Sequence, residues 1–551
     1  MKKILYFFTR QSLWGYLLLL GVFIINGLYL SFPDEFVNLL GARTIMEGKM
    51  PYKDFFDHHL PLAWFLGADL LRLSFGNFVV FRILFAIFMF GCLFLTGLHI
   101  KRSNPGLFPY FLVFFVIYPF FAVYFWLHIF IADALATLFF SCAFWLTINE
   151  TYRFKSNPFI LAIAGFLNFA LVFSSLTYIF VAAALYLWQL YLVWRDRKGW
   201  QDVVFFLVAA ALPYSYYGVH LVVTNSVADF YRSNFTYNTE HYISIEEFQP
   251  GQKLNPIRFA MTIVQNFWDD YLPLLSKIKH LDLYLPIGTL AGISTLLLLL
   301  VFGIQNRILF VLFFLILSFS APRSNIQEYA ETNYQMGLFL ALGLASACVV
   351  LYRQKSLRFQ EEFLNVFRNA SVFVMVTFLV FTSVFLAKNT FEKAYKRYML
   401  LMPGINDRSF VAEFVEEFLP EGEYFWIGPY EPHHAFFVRK GKLPGKYPTL
   451  LPQFRESEFY RNDFLKQFEE NPPAVIIFKN DASIFMTPAT EFGKFFIDWM
   501  RRDYIRVSEV EGYAGVRNPW ELNVETDVYL RKDMQSELIR KLEAAGYVAR
   551  P

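Results

Sequence analysis

Long apolar runs separated by short charged connections recur through the first 390 residues, and they dominate what this chain can become. The first covers 13–32 and follows Lys2, Lys3 and Arg10. Others lie near 79–99, 107–124, 127–148, 158–175, 177–194, 202–223, 283–303, 308–322, 335–352 and 371–387. A helix of about 20 apolar residues crosses the hydrocarbon core of a bilayer, and in lipid a helix satisfies its own backbone. The pattern predicts a polytopic α-helical membrane protein with about eleven transmembrane helices. Composition closes off the alternatives. Hydrophobic residues make up 56% and charged residues only 17%, where soluble domains carry about 25% charged. A disordered chain and a nucleic-acid binder are both excluded, because the net charge is only +3 and no long basic run exists. Residues 31–35, Ser-Phe-Pro-Asp-Glu, make a poor cleavage site, so the first run reads as an uncleaved helix rather than a signal peptide. Cys92, Cys142 and Cys348 fall in apolar runs and imply no disulfide framework.

The charges orient the spans. With the N-terminus inside, the inner connections carry Lys101 and Arg102; Arg153 and Lys155; Arg195, Arg197 and Lys198; Arg307; and Arg353, Lys355, Arg358 and Arg368. Every inner connection is basic, as the positive-inside rule asks. An odd number of spans then leaves the C-terminus outside. The outer segments are 33–78, 224–282, 323–334 and everything after Lys388.

From about residue 404 charges and prolines become frequent. Short strands are expected at 424–427, 435–438, 474–479 and 505–510, and amphipathic helices at 409–418, 457–470, 490–502 and 534–545. The chain divides into a transmembrane domain, 1–390, and an extracytoplasmic α/β domain, 404–551, of ordinary size.

The outer segment 33–78 is the most informative stretch. Asp34 and Glu35 follow the first apolar run directly. As carboxylates ending that helix they would feel the negative end of its dipole, and partial desolvation would add to it. Both effects disfavour ionisation, which suits a general base near neutral pH. The competing reading is a polar cap that ends the helix and reaches into the headgroups. Farther along stand Arg43-Thr-Ile-Met-Glu47-Gly48, Pro51-Tyr52-Lys53-Asp54-Phe55, Asp57-His58-His59-Leu60-Pro61 and Phe75-Gly76-Asn77, the last followed by Phe81-Arg82-Ile83.

These elements together resemble the bacterial GT-C glycosyltransferases, the protein-mannosyltransferase-like superfamily that includes protein O-mannosyltransferases and the lipid A aminoarabinose transferase. The resemblance extends to the span count, the orientation and the outer C-terminal domain. It implies that Asp34 is the catalytic base on the acceptor hydroxyl and Glu35 its acidic neighbour. Asp57-His58 occupies the place of an acidic-Lys-Pro-Pro element, whose acid can bind a metal and whose Lys meets the donor phosphate. Here His58 stands where Lys is usual, so a protonated His58, or a divalent metal ion held by Asp57 and a histidine, would replace that contact. Asp133, in the apolar run His128-Ile-Phe-Ile-Ala-Asp133, matches an aspartate at the outer end of the fourth span. It also has its own physical case: a carboxylate inside an apolar run costs several kcal/mol unless it faces a cavity or a partner. His128 reads as an interfacial residue.

In 224–282, His241 is the candidate second metal ligand, since related enzymes use a histidine from this region; an exposed loop histidine is the competing reading. Arg232, Arg258 and Arg323 are outer cations able to pair with a lipid phosphate through the guanidinium fork. Arg323, at the end of the ninth span, is preferred, while anchoring to anionic headgroups is the alternative, above all for Arg258. No Walker A loop, GxSxG elbow, HExxH or CxxC occurs, and no inner domain could hold a nucleotide sugar.

The expected function is transfer of a monosaccharide from a polyprenyl-phosphate donor to an acceptor hydroxyl on the outer face. The acceptor would be a glycan, lipid or protein, and the setting a bacterial plasma membrane. Asp34 would be the base and the reaction inverting. The alternatives are a transporter or flippase of a lipid-linked sugar, disfavoured by the absence of inverted repeats, and a glycan ligase or polymerase using a pyrophosphate-linked donor.

Overall fold

The bilayer requirement is visible in the chain's course: ten of the eleven apolar runs are helices among the described residues. The computed structural model describes residues 13–197, 199–242, 255–271, 284–322, 334–354, 376, 379–380, 383–392, 408–485, 487–510 and 527–546. The apolar helices are α1 (Leu13–Gly27), α4 (Phe78–Ser103), α5 (Phe108–Tyr124), α6 (Ala132–Thr151), α7 (Pro158–Ser174), α8 (Ile179–Arg197), α9 (Trp200–Val223), α10 (Tyr284–Gln305), α11 (Arg307–Ser318) and α12 (Gly337–Gln354). Between α1 and α4 lie α2 (Pro33–Met46) and α3 (Leu62–Leu73). The eleventh run, 371–387, falls mostly outside the described residues; 383–392 is helical. The chain is a polytopic α-helical membrane protein with a small C-terminal sheet. Local chemistry sets the starts of the helices. The Asn77 side chain accepts from the Val80 amide and caps α4, and Asn157 caps α7 ahead of Pro158.

Helix α6 is the axis of the bundle. All its residues are buried, against α4, α7, α8 and α12. Polar side chains tie it to its neighbours. Gln189 on α8 donates to Thr147 Oγ1 at 3.1 Å and accepts from Asn168 on α7 at 3.1 Å. Such interhelical bonds contribute about 0.6–2 kcal/mol each in a membrane.

The two ends of the bundle differ. At one, buried Glu150 accepts from Arg153 Nη1 at 3.0 Å and from the Asn157 amide at 2.6 Å, while Arg353 lies over the Tyr152 ring. Lys101, Arg102, Arg195 and Arg307 belong to helix ends on this side. The opposite end gathers α2, α3, the 125–131 turn, the short helical segments Val227–Tyr231, Arg232–Thr236 and Asn238–Tyr242, and the C-terminal region.

One boundary departs from expectation, with consequences for the site. The first helix stops at Gly27, not near Phe32. Leu30 takes φ +53°, and Pro33 starts a new helix. The apolar composition of 28–32 hides this break, because hydropathy reports burial rather than path. Asp34 and Glu35 therefore occupy the first turn of α2, at the positive end of a dipole, which favours the carboxylate. The dipole thus acts on Asp34 and Glu35 in the sense opposite to that expected from the sequence.

In the C-terminal region, strands β1 (Phe425–Gly428), β2 (Val475–Phe478), β5 (Tyr504–Arg506) and β6 (Val528–Arg531) form a sheet in the order β1-β2-β6-β5. A two-stranded ladder, β3 (Ser483–Ile484) and β4 (Thr487–Pro488), lies apart. β1 and β2 are parallel, Phe425 opposite Val475; β6 runs antiparallel to both neighbours, with Leu530 opposite Val475 and Ile505. β1 and β2 are buried throughout, as strands covered on both faces should be. The helices are α13 (Phe410–Phe418), α14 (Pro432–Phe437), α15 (Glu458–Glu470), α16 (Lys494–Asp503) and α17 (Gln535–Ala544). The strand expected at 435–438 is instead α14 and its C-cap: Pro432 presets the first helical turn, and four apolar residues cannot distinguish the periods. The helix expected over 490–502 is broken at Gly493.

Close packing of α10 on α12 depends on Gly343, where a Cβ would lie 2.3 Å from Ala291 Cβ and 2.5 Å from its Cα. Gly343→Val should lower stability in detergent by about 1–3 kcal/mol or more, since backbone cannot move aside as a side chain can. Gly21→Ala, with nothing within 4 Å, should leave the melting temperature unchanged.

Candidate functional site

The site is built around one buried ion pair. Arg82, near the start of α4, and Glu35, in the first turn of α2, are both fully buried, with Nη1 and Oε1 2.6 Å apart. Arg82 also donates through Nε to Gly27 O at 2.8 Å and through Nη2 to Leu30 O at 3.1 Å. The Phe130 amide donates to Glu35 Oε1 at 3.1 Å. His128 Nε2 lies 2.8 Å from Tyr29 O. His128 is thus a buried link between the 28–32 break and the 125–131 turn, not the interfacial residue expected. Glu35, expected as a catalytic neighbour of Asp34, is committed to holding α2, α4 and the turn before α6 together.

Asp34 points to the other side of α2. It is half-buried, and the Tyr430 hydroxyl donates to Oδ1 at 2.6 Å. Tyr430 arrives from the loop after β1. Burial, then the charge and hydrogen bond of Asp34, then the charge of Asp57, push its pKa well above the usual phenol value. Tyr430 is therefore a fixed donor, and Asp34 and Asp57 both act on its hydroxyl.

The C-terminal region is clamped onto α2 beside this contact. Arg43 donates to Val438 O at 3.0 Å and to Phe436 O, with its guanidinium 4.8 Å from the Phe436 ring centre. Burial lowers Arg43 to about 10, so it stays charged near neutrality. Phe36 packs on Phe436, Phe437 and His433. The Phe56 amide donates to Lys446 O at 2.7 Å, pinning the 51–61 segment to the same body.

Asp57 is 5% exposed. Its Oδ1 lies 3.2 Å from His58 Nδ1 and 3.0 Å from His59 Nδ1, and accepts from the His58 amide at 2.6 Å. Burial raises its pKa, but the two imidazoles outweigh burial and hold it well below the ordinary carboxylate range. Oδ2 is buried without a hydrogen-bond partner. A buried carboxylate oxygen left over beside two imidazoles is a donor set that fits a divalent cation. His58 is positioned from behind, since Asn238 donates to its carbonyl at 2.9 Å and the Tyr237 ring lies 5.8 Å away.

The remaining expected residues are spread more widely. His241 packs on Tyr237 and Tyr460, and the groups of potential ligands among the described residues do not include it. Asp57 meets His58 and His59 instead. Arg232 stacks over Phe459 at 4.4 Å, near Asp229, with 41% of its side chain exposed. Asp133 is buried in the first turn of α6 and accepts from the Tyr178 hydroxyl at 2.5 Å, so it has a partner and a favourable dipole. Arg323 lies outside the described residues.

Sequence reasoning missed Gly428-Pro-Tyr430-Glu431-Pro-His433-His434. Its one legible mark was an aromatic, an acid and two histidines directly after a buried strand. Burial and the Lys479 ammonium bring His433 down to about 4, and burial, His433 and Lys479 bring His434 to about 2, so these rings are neutral near pH 7.

Arg82→Met strands the Glu35 charge and should cost about 3–5 kcal/mol, whereas the double variant with Glu35→Met should recover most of it. Unfolding of the four proteins of that cycle in one detergent measures the coupling; equal losses in the single and double variants would show that the pair is not the anchor.

No protein-family model matches the chain, and no curated protein matches it. Among solved structures, the chain is similar to a crystal structure of ArnT from Cupriavidus metallidurans bound to undecaprenyl phosphate, at 14% identity and a TM-score of 0.40, over 84% of this chain and 92% of that one.

Proposed function

We propose that the protein is an integral-membrane glycosyltransferase that moves a monosaccharide from a polyprenyl phosphate to an acceptor hydroxyl at the outer face. One observation carries this reading beyond the sequence resemblance. The carboxylate of Asp34 accepts from the Tyr430 hydroxyl, which also feels the charge of Asp57 in the Asp57-His58-His59 group, at one end of a membrane bundle. A base and a phosphate-facing group on one face, next to lipid, match the needs of a donor whose tail lies in the membrane.

In this mechanism the acceptor hydroxyl donates to Asp34 and attacks the anomeric carbon. Asp34 takes the proton, a new C–O bond forms, and the bond to the phosphate oxygen breaks with its electron pair staying on phosphate. Attack in line with the leaving group inverts the carbon. His58 and His59 donate to the departing phosphate, and Arg232 and Arg323 remain the cations assigned to it. A divalent ion held by Asp57 with these histidines would supply Lewis-acid stabilisation of the same charge. Tyr430 keeps Asp34 oriented and excludes water from one of its oxygens. Asp133 supports the site by fixing Tyr178. The basic end of the bundle is then cytoplasmic, in a bacterial plasma membrane, and residues 404–551 lie outside.

Purified protein in detergent, given radiolabelled polyprenyl-phosphate sugars and a membrane extract as acceptor, tests the reading. Asp34→Asn should lower transfer about 10²–10⁴-fold. Tyr430→Phe, which removes one bond to a charged group, should lower kcat about 10–100-fold and leave the donor KM nearly unchanged. Equal transfer by wild type and Asp34→Asn would remove Asp34 as the base. Label that enters vesicles with no new glycosidic bond would instead establish a transporter.

A further inference from the structure

The loop that delivers Tyr430 carries a second constellation. Glu431 Oε2 lies 3.6 Å from His433 Nδ1 and 3.5 Å from His434 Nε2. These separations exceed a hydrogen bond. They are close to the ligand-to-ligand edge of a tetrahedral zinc site, about 3.3 Å for ligand bonds near 2.0–2.1 Å. His433 Nδ1 is buried without a hydrogen-bond partner. Ser409 Oγ holds His434 Nδ1 at 2.7 Å, turning Nε2 toward Glu431. An outer hydroxyl or carboxylate on the far nitrogen is how ligating histidines are held. Lys479 Nζ binds the other carboxylate oxygen, Oε1, at 2.9 Å, so Glu431 has a partner whether or not Oε2 is used.

We propose that Glu431, His433 and His434 form a divalent-cation site of zinc-like preference, distinct from the Asp57 group. Two imidazoles and one carboxylate make a three-ligand set with an open fourth position. The side chains of Glu431, His433 and His434 are 13%, 35% and 15% exposed, enough for a water or an anion to complete the sphere. Because Lys479 satisfies Glu431 in either state, binding is reversible and the fold does not require it. Occupancy fixes the residue next to Tyr430, and the His433 ring rests 6.0 Å from that of Phe36, two positions after Asp34. The ion therefore stiffens the loop that presents the Tyr430 hydroxyl to α2.

The test uses the full chain in detergent, stripped with chelator and titrated with Zn²⁺ alone, bound metal being counted after desalting. Asp57→Asn is the working background, because it disables the other group. That protein should retain one equivalent, and adding His434→Asn or Glu431→Gln should abolish it. Ser409→Ala keeps all three ligands and should weaken binding about 10–100-fold, which guards against a ligand variant that fails to fold. Co²⁺ loaded into Asp57→Asn should give a visible absorption band that the His434→Asn addition removes. Loss of all bound zinc in Asp57→Asn alone, or unchanged binding after His434→Asn and Glu431→Gln, would overturn the site.

Discussion

A fully buried guanidinium needs several acceptors at once, and that demand organises the outer end of this molecule. Arg82 finds them in Glu35, Gly27 and the 29–30 turn. Each acceptor belongs to the place where α1 ends and α2 begins, so the break in the chain is written by the needs of one side chain. Glu35 then reaches the Phe130 amide, which sets the turn before α6. With α2 fixed at its first turn, Asp34 has only one direction left, toward the C-terminal region. A hydrophobic pair here would hold the helices as firmly, yet it would not specify which backbone carbonyls face inward. The ion pair specifies direction more than it adds stability.

The membrane part was legible in the sequence because lipid enforces length and composition. Runs of about 20 apolar residues have few other outcomes, and among the described residues Lys101, Arg102, Arg153, Arg195, Arg307 and Arg353 fall at one end of the bundle. What hydropathy could not report was the path inside an apolar run. Residues 28–32 read as helix and are a turn, and this single misplacement reversed the dipole acting on Asp34. In the C-terminal region, β6 was missed because four residues, Val-Tyr-Leu-Arg, carry too little periodicity to stand out. The same shortness turned α14 into an expected strand.

The candidate site was legible only in its local half. Asp34, Asp57 and His58 are marked by their position after the first span. Tyr430 reaches Asp34 across 396 residues, and a contact of that range leaves no local pattern. The histidine pair after β1 was visible as letters, but its meaning depended on Ser409 and Lys479, brought in by a helix cap and a strand end. Asp133 shows the opposite case. A carboxylate in an apolar run drew attention for sound physical reasons, and Tyr178, in the short turn between α7 and α8, donates to it.

The clamp between α2 and the C-terminal region also orders the protein's birth. Asp34 and Arg43 are made 393–396 residues ahead of their partners Tyr430, Phe436 and Val438, and Phe56 likewise long before Lys446. A ribosome that stops short, or a chain clipped between the bundle and the sheet, leaves a membrane protein in which Asp34 lacks Tyr430 and Arg43 lacks its carbonyl partners. The face of α2 that carries Phe36 and Arg43 thus stays uncovered until the segment 430–446 has been made.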